Sequence, residues 1–167
     1  MGTNWLGGTQ NYSVDGNALH NVGGDAQPLL WNTSFGPDQE IFATLTQVDT
    51  NASEVDLLLK AQDTTPCNLL EVWYQPSRGT AQVWTCHNYG SWTQHGADIP
   101  LTLAAGDQFG ARAQADGTVT VYKNGTAVGN VTVDSSWPYV ANGGRVGVWL
   151  IDAPGTVLDD VGGGTLP

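Results

Sequence analysis

The chain is short of positive charge. Five Lys and Arg stand against sixteen Asp and Glu in 167 residues, a formal net charge of −11. That balance excludes a nucleic-acid backbone or an anionic membrane as the default partner, because both are bound through a positive surface. Long apolar runs are missing too, so no stretch reads as a bilayer-spanning segment. Apolar residues do not recur at the 3.6-residue period and helix formers are sparse, which argues against helix as a main component. There are only two cysteines, Cys67 and Cys86, and no CxxC or HxxxH spacing supplies them with metal partners. At this length the chain can bury a sizeable core without staples.

What is present is strand and turn chemistry. Twenty-two glycines and many Thr, Val and Asn residues accompany period-two segments throughout. Strands are predicted at 11–14, 18–22, 40–48, 54–62, 69–75, 81–87, 101–103, 108–115, 118–123, 126–133, 145–150 and 157–161. Asn124-Gly125 joins two of them as a hairpin turn in which both residues tolerate positive φ, and Asp116-Gly117 makes a second turn of the same kind. No linker, charge block or repeat divides the chain. The expectation is one all-β domain over residues 1–167, a two-sheet antiparallel sandwich.

One hairpin carries the functional signal. With Pro76-Ser77-Arg78-Gly79 as its loop, Gln75 faces Thr80, Trp73 faces Gln82 and Glu71 faces Trp84. Alternation then puts Leu70, Val72, Tyr74, Ala81 and Val83 on a core face. The other face holds Glu71, Trp73, Gln75, Gln82 and Trp84, a mixture suited to a sugar. Indoles cover the apolar C–H face of a pyranose, while amide and carboxylate groups bind its hydroxyls. Burial of both tryptophans under a loop or a second layer is the alternative. Tyr89 and Trp92 are expected in a loop at the rim of this face. Arg112, in a strand alternating between Phe109, Ala111 and Ala113 on one side and polar residues on the other, extends the face if its strand joins the same sheet.

The same register places Leu69 opposite Cys86, two residues from Cys67. A disulfide between Cys67 and Cys86 is the expectation for an extracellular chain, and two unrelated thiols are the alternative. Met1-Gly2 runs straight into polar sequence, so the expected state is a mature secreted chain whose signal peptide has been removed.

The segment from 108 to 164, including GTVTVYKNGTAVG and WPYVANGGRVGVWLIDAPGTVLDDVGGG, resembles the concanavalin A-like, laminin-G-like jelly-roll domains of secreted bacterial proteins. The segment 42–62 resembles the paired early strands of those domains. The resemblance implies two packed, curved sheets with a glycan-binding face or rim, as in many carbohydrate-binding modules. It also covers glycanases, lyases and adhesion modules, so residues must decide. Related glucanases carry Glu-x-Asp-x-(x)-Glu on one strand. Here Glu54 and Asp56 supply two acids, but Leu58 or Leu59 stands at the third, and both acids read as a solvated strand face. Glu71 has no evident partner acid. A lyase would draw on His87, Tyr89, Gln94, His95 and Arg112, without the family's Arg and Tyr/Lys motifs.

The expectation is therefore a non-catalytic carbohydrate-binding module for a polysaccharide, of β-glucan or xyloglucan-like class, within a larger secreted multidomain protein. A jelly-roll lyase or glycoside hydrolase, or a structural or protein-adhesion module, is the alternative. No cofactor is required on this reading. Related sandwiches hold a structural calcium, for which Asp160 is the candidate ligand, with Asp15 or Asp25 from near the other terminus.

Overall fold

A computed structural model describes residues 2–23 and 26–167. The architecture is nearly all β, as expected, in two antiparallel seven-stranded sheets. Among the described residues a single 3-10 turn, Thr9–Asn11, interrupts the strands. In chain order these are β1 Trp5–Gly7, β2 Tyr12–Asp15, β3 Ala18–Asn21, β4 Leu29–Trp31, β5 Gln39–Gln47, β6 Glu54–Ala61 and β7 Leu70–Gln75. They continue with β8 Thr80–His87, β9 Ser91–Pro100, β10 Gln108–Ala113, β11 Thr118–Lys123, β12 Thr126–Thr132, β13 Arg145–Ile151 and β14 Val157–Thr165. The first sheet runs β1-β4-β13-β6-β7-β8-β9 and the second β12-β11-β10-β5-β14-β3-β2.

The core lies between the sheets and is built by alternation. From the first sheet, Val55, Leu57, Leu70, Val72, Tyr74 and Val83 point inward. Ile41, Leu45, Phe109, Ala111, Val119 and Val121 meet them from the second. Inward residues sit two apart because successive strand side chains point to opposite faces. The Tyr74 hydroxyl stays satisfied within this core by accepting a hydrogen bond from the Leu103 N–H at 3.1 Å.

The β7–β8 hairpin has the expected register, with Gln75 opposite Thr80, Trp73 opposite Gln82 and Glu71 opposite Trp84. The disulfide joins Cys67 to Cys86 at a Cα–Cα distance of 4.9 Å. Beyond the last ladder pair, the Cys86 N–H donates to the Leu69 carbonyl, so the two strands remain together up to the bridge.

Three strands, β1, β4 and β9, differ from expectation. The segment expected as a rim loop turns at Asn88, Tyr89 and Gly90, all at positive φ, and returns as β9. Its sequence hides this because β9 is an edge strand that buries few side chains, His95 and Ile99 among them. Gly96, at φ +70, sits near the β8–β9 register shift, and a Cβ there would meet Val131 Cγ1 at 2.6 Å. Residues 101–103, expected as a strand, form no ladder, although Leu101 and Leu103 are buried.

Candidate functional site

The outward face of the first sheet carries the site. On β6, with its neighbours Val55 and Leu57 turned inward, Glu54 and Asp56 face out. On β7 the outward residues are Glu71 and Trp73, on β8 Gln82 and Trp84, on β9 Trp92, and on β13 Trp149 and Ile151. Asp56 stands opposite Trp73 on one side and Trp149 on the other. Glu71 lies opposite Leu58 and Trp84. These residues enclose an open cavity of about 320 Å³, at the lower end of the ~300–1,000 Å³ usual for ligand pockets. Trp73, Trp84, Trp92 and Trp149 form most of its wall, and Glu54, Glu71 and Ile151 complete it. A small apolar layer of Leu30, Leu58, Ala61, Leu69 and Trp149 packs against Trp92 and Ile151 of this wall.

The tryptophans are held by different means. Trp73 and Trp84 are half-buried, their ring centroids 6.0 Å apart at a 43° tilt. The Trp73 indole N–H donates to the Ser53 carbonyl at 3.3 Å. Trp84 donates to the Gln82 side-chain oxygen at 2.9 Å, and Gln82 in turn donates to Asp98 at 2.8 Å. Trp149 is buried and donates to the Ala26 carbonyl. With their polar edges engaged, the rings are fixed in place.

Three carboxylates meet at this wall. Oxygens of Glu54, Asp56 and Glu71 all lie within 4.8 Å of one another. Asp56 is fully buried, and neither of its oxygens has a hydrogen-bond partner. Burial, then the Glu71 and Glu54 charges, hold its carboxyl well above the usual range. Burial and the Glu54 charge push Glu71 up to about 8. Both shifts favour the protonated forms of Asp56 and Glu71 near neutrality.

No protein-family model matches the chain, and no curated protein matches it in sequence. Solved structures do match it in shape. The carbohydrate-binding module CBM66 from Bacillus subtilis superposes with a TM-score of 0.73 at 17% identity, covering 98% of this chain and 96% of that one. A Bacillus subtilis protein of unknown function with a galectin-like fold gives 0.68 at 14% identity, covering 96% and 89%. Alginate lyase A1-II′, a member of polysaccharide lyase family 7, gives 0.54 at 13%, covering 95% and 85%. The fold is a jelly-roll β-sandwich.

Within the jelly roll, Glu71, Trp73, Trp84 and Trp92 line one cavity. Gln82 stands behind Trp84 as its hydrogen-bond acceptor. Gln75 is half-buried at the end of β7, and Tyr89 projects from the β8–β9 turn with 71% exposure, neither of them lining the cavity. Arg112 is elsewhere. It lies on β10 in the second sheet, paired to Glu40 at 3.0 Å and stacked 5.1 Å over the Tyr122 ring. The assumption that its strand adjoined the hairpin is corrected: alternation shows that one face of β10 is open but not which sheet holds it.

Two further corrections concern acids. Glu54 and Asp56 do not form a solvated face, because Trp73 and Trp149 flank Asp56 and bury it. Glu71 does have partner acids, supplied by the neighbouring strand rather than by its own. Trp149 joins the cavity wall, and its parity in β13, opposite to Val146, Val148 and Leu150, is the sequence signal for its outward position. The groups weighed for a lyase are dispersed. His87 and His95 share a different cavity with Thr85 and Trp137, His95 bonded to Thr85 at 2.8 Å. Asp160 is exposed on β14 at φ +48, outside the acid cluster. Asp25 lies outside the described residues.

Proposed function

We propose that this domain is a non-catalytic carbohydrate-binding module of a larger secreted protein, taking a polysaccharide into the indole-walled pocket. The observation that carries this reading is the convergence of four tryptophans from four strands on one open cavity that Glu54 and Glu71 also line. Indole faces suit the flat C–H surface of β-linked glucose, and carboxylates accept hydrogen bonds from hydroxyls. A β-glucan or xyloglucan-like chain fits these surfaces, whereas the net charge of −11 opposes a polyuronate. The carbohydrate-binding neighbour in shape supports the reading at the level of fold. No cofactor enters it. A structural calcium at Asp160 is a separate proposal, supported if calcium raises the unfolding temperature of the parent and not of Asp160→Asn.

Glycan-array screening followed by calorimetry tests the main reading. Retention on a β-glucan, lost on Trp84→Ala with the fold intact, is the expected result. Retention on no glycan but on a protein partner would replace it with an adhesion role.

The acid cluster favours a second reading, glycoside hydrolysis. A retaining enzyme needs two carboxyls about 5–5.5 Å apart, and the oxygens here lie within 4.8 Å. Release of reducing ends from a glycan, abolished by Glu71→Gln, would establish it over the binding role.

A further inference from the structure

The pocket concentrates acidic groups, and among the described residues no basic side chain lines it. Oxygens of Glu54, Asp56 and Glu71 lie within 4.8 Å of one another, and the fully buried Asp56 carboxylate has no hydrogen-bond partner. The chain's five basic side chains are placed elsewhere. The Lys60 ammonium bonds the Gln114 and Val140 carbonyls, Arg112 pairs with Glu40, and Lys123 pairs with Asp107. Arg78 lies in the β7–β8 turn, and Arg145 acts on Asp63. A buried acid without a hydrogen-bond partner costs stability whether it is charged or holds a proton, so its retention beside an open cavity points to a ligand that supplies the missing partner.

The cavity wall indicates what kind of partner. Four indoles surround the acids, and the face of an indole attracts cations. An ammonium has three N–H donors and no acceptor, the complement of a carboxylate group that can only accept. Calcium needs about six to eight oxygen ligands, and beyond the carboxylates this wall offers indole and the Ile151 side chain.

We propose that the pocket binds the protonated amine of an amino sugar, so that the domain selects a β-linked glucan bearing 2-amino groups over its neutral counterpart. The inference rests on the carbohydrate-binding reading above and narrows its ligand. The ammonium bonds Glu54 and Glu71, which line the cavity, and Asp56 behind them adds the third charge. The indoles stack on the ring that carries the amine. A net charge of −11 draws a polycationic chain to the domain at long range. Protons held by the crowded acids leave when the ammonium arrives, so binding of the amine releases protons and binding of a neutral chain does not.

The test is calorimetry on the intact domain at about pH 6.5, in two buffers of different ionisation enthalpy. The probes are three β-1,4-linked hexamers differing only at C2, where they carry amine, acetamide or hydroxyl. The amine form should bind at least tenfold tighter than the hydroxyl form, with a buffer-dependent heat that reports proton release. In Glu71→Gln and in Asp56→Asn the ratio of the two affinities should fall towards one, with unfolding curves confirming that both variants fold. Equal affinity for amine and hydroxyl forms overturns the amine site and leaves the carbohydrate reading standing. Binding of no hexamer overturns the amine site, and the glycan array decides the carbohydrate reading separately. A preference that survives in both variants assigns it to the general surface charge, and saturable calcium binding without amine binding makes the cluster a metal site; either result overturns the proposal.

Discussion

Asp56 shows how a single residue can work against the fold that holds it. Both its oxygens are buried and unpaired, and the Glu54 and Glu71 charges crowd it. Asp56→Asn should therefore stabilise the domain by about 1–3 kcal/mol at alkaline pH relative to pH 4, because burial and the neighbouring acids oppose the charged carboxylate. Urea unfolding at the two pH values checks this, and a loss of stability at high pH would show that an unrecognised partner holds the carboxylate. The tryptophans divide by exposure. Trp73→Ala and Trp84→Ala should each weaken glycan binding about tenfold or more, a loss of about 1–3 kcal/mol, while both variants stay folded because the rings are half-exposed. Trp149→Ala should cost about 3–5 kcal/mol of stability, since that ring is buried and its N–H is bonded to the Ala26 carbonyl. Calorimetry paired with thermal unfolding on the three variants separates platform from support.

At the scale of the element, the β7–β8 hairpin is the part on which the site depends most. It supplies Glu71, Trp73 and Trp84, and the Cys67–Cys86 disulfide closes it at the end away from its turn. The sequence separation of 19 residues corresponds to about 3 kcal/mol of stabilisation in the loop-entropy account. The double variant Cys67→Ala with Cys86→Ala should lose about that much in denaturant unfolding. It should also weaken glycan binding, because Cys86 faces Trp92 across the β8–β9 ladder and strand order there positions that ring. Unchanged affinity in the double variant would show that Trp92 is held by the apolar layer with Leu30, Leu58 and Leu69 alone.

For the whole molecule, the acid cluster sets the direction of pH dependence. Asp56 and Glu71 bind protons more tightly in the folded state than in the unfolded chain, with Glu71 raised from 4.5 to about 8. Between those values the folded state carries the extra protons, so stability falls as pH rises through this window. The Glu71 contribution is fully present below about pH 4.5 and lost above about pH 8. Unfolding temperatures should decline across that range by more than in Glu71→Gln. A flat profile in the parent domain would mean that the cluster is neutralised by another group.

Local rules determined the hairpin. Alternation places Leu70, Val72, Tyr74, Ala81 and Val83 inward, and a four-residue loop sets the register, so the ladder and the parity of Trp73 and Trp84 follow from residues close in sequence. The Asn124-Gly125 turn between β11 and β12 is local in the same sense. Parity also put Glu54 and Asp56 on one outward face, but only tertiary structure decided what that face meets. β13, far along the chain, packs beside β6 and lays Trp149 against Asp56, while β7 brings Glu71 to complete the cluster. The same distinction separates Arg112 from the site, because its alternation is local and the order of strands is not. Burial of a charge depends on which strands become neighbours, and that order is set by the packing of the whole sandwich rather than by the period of any one strand.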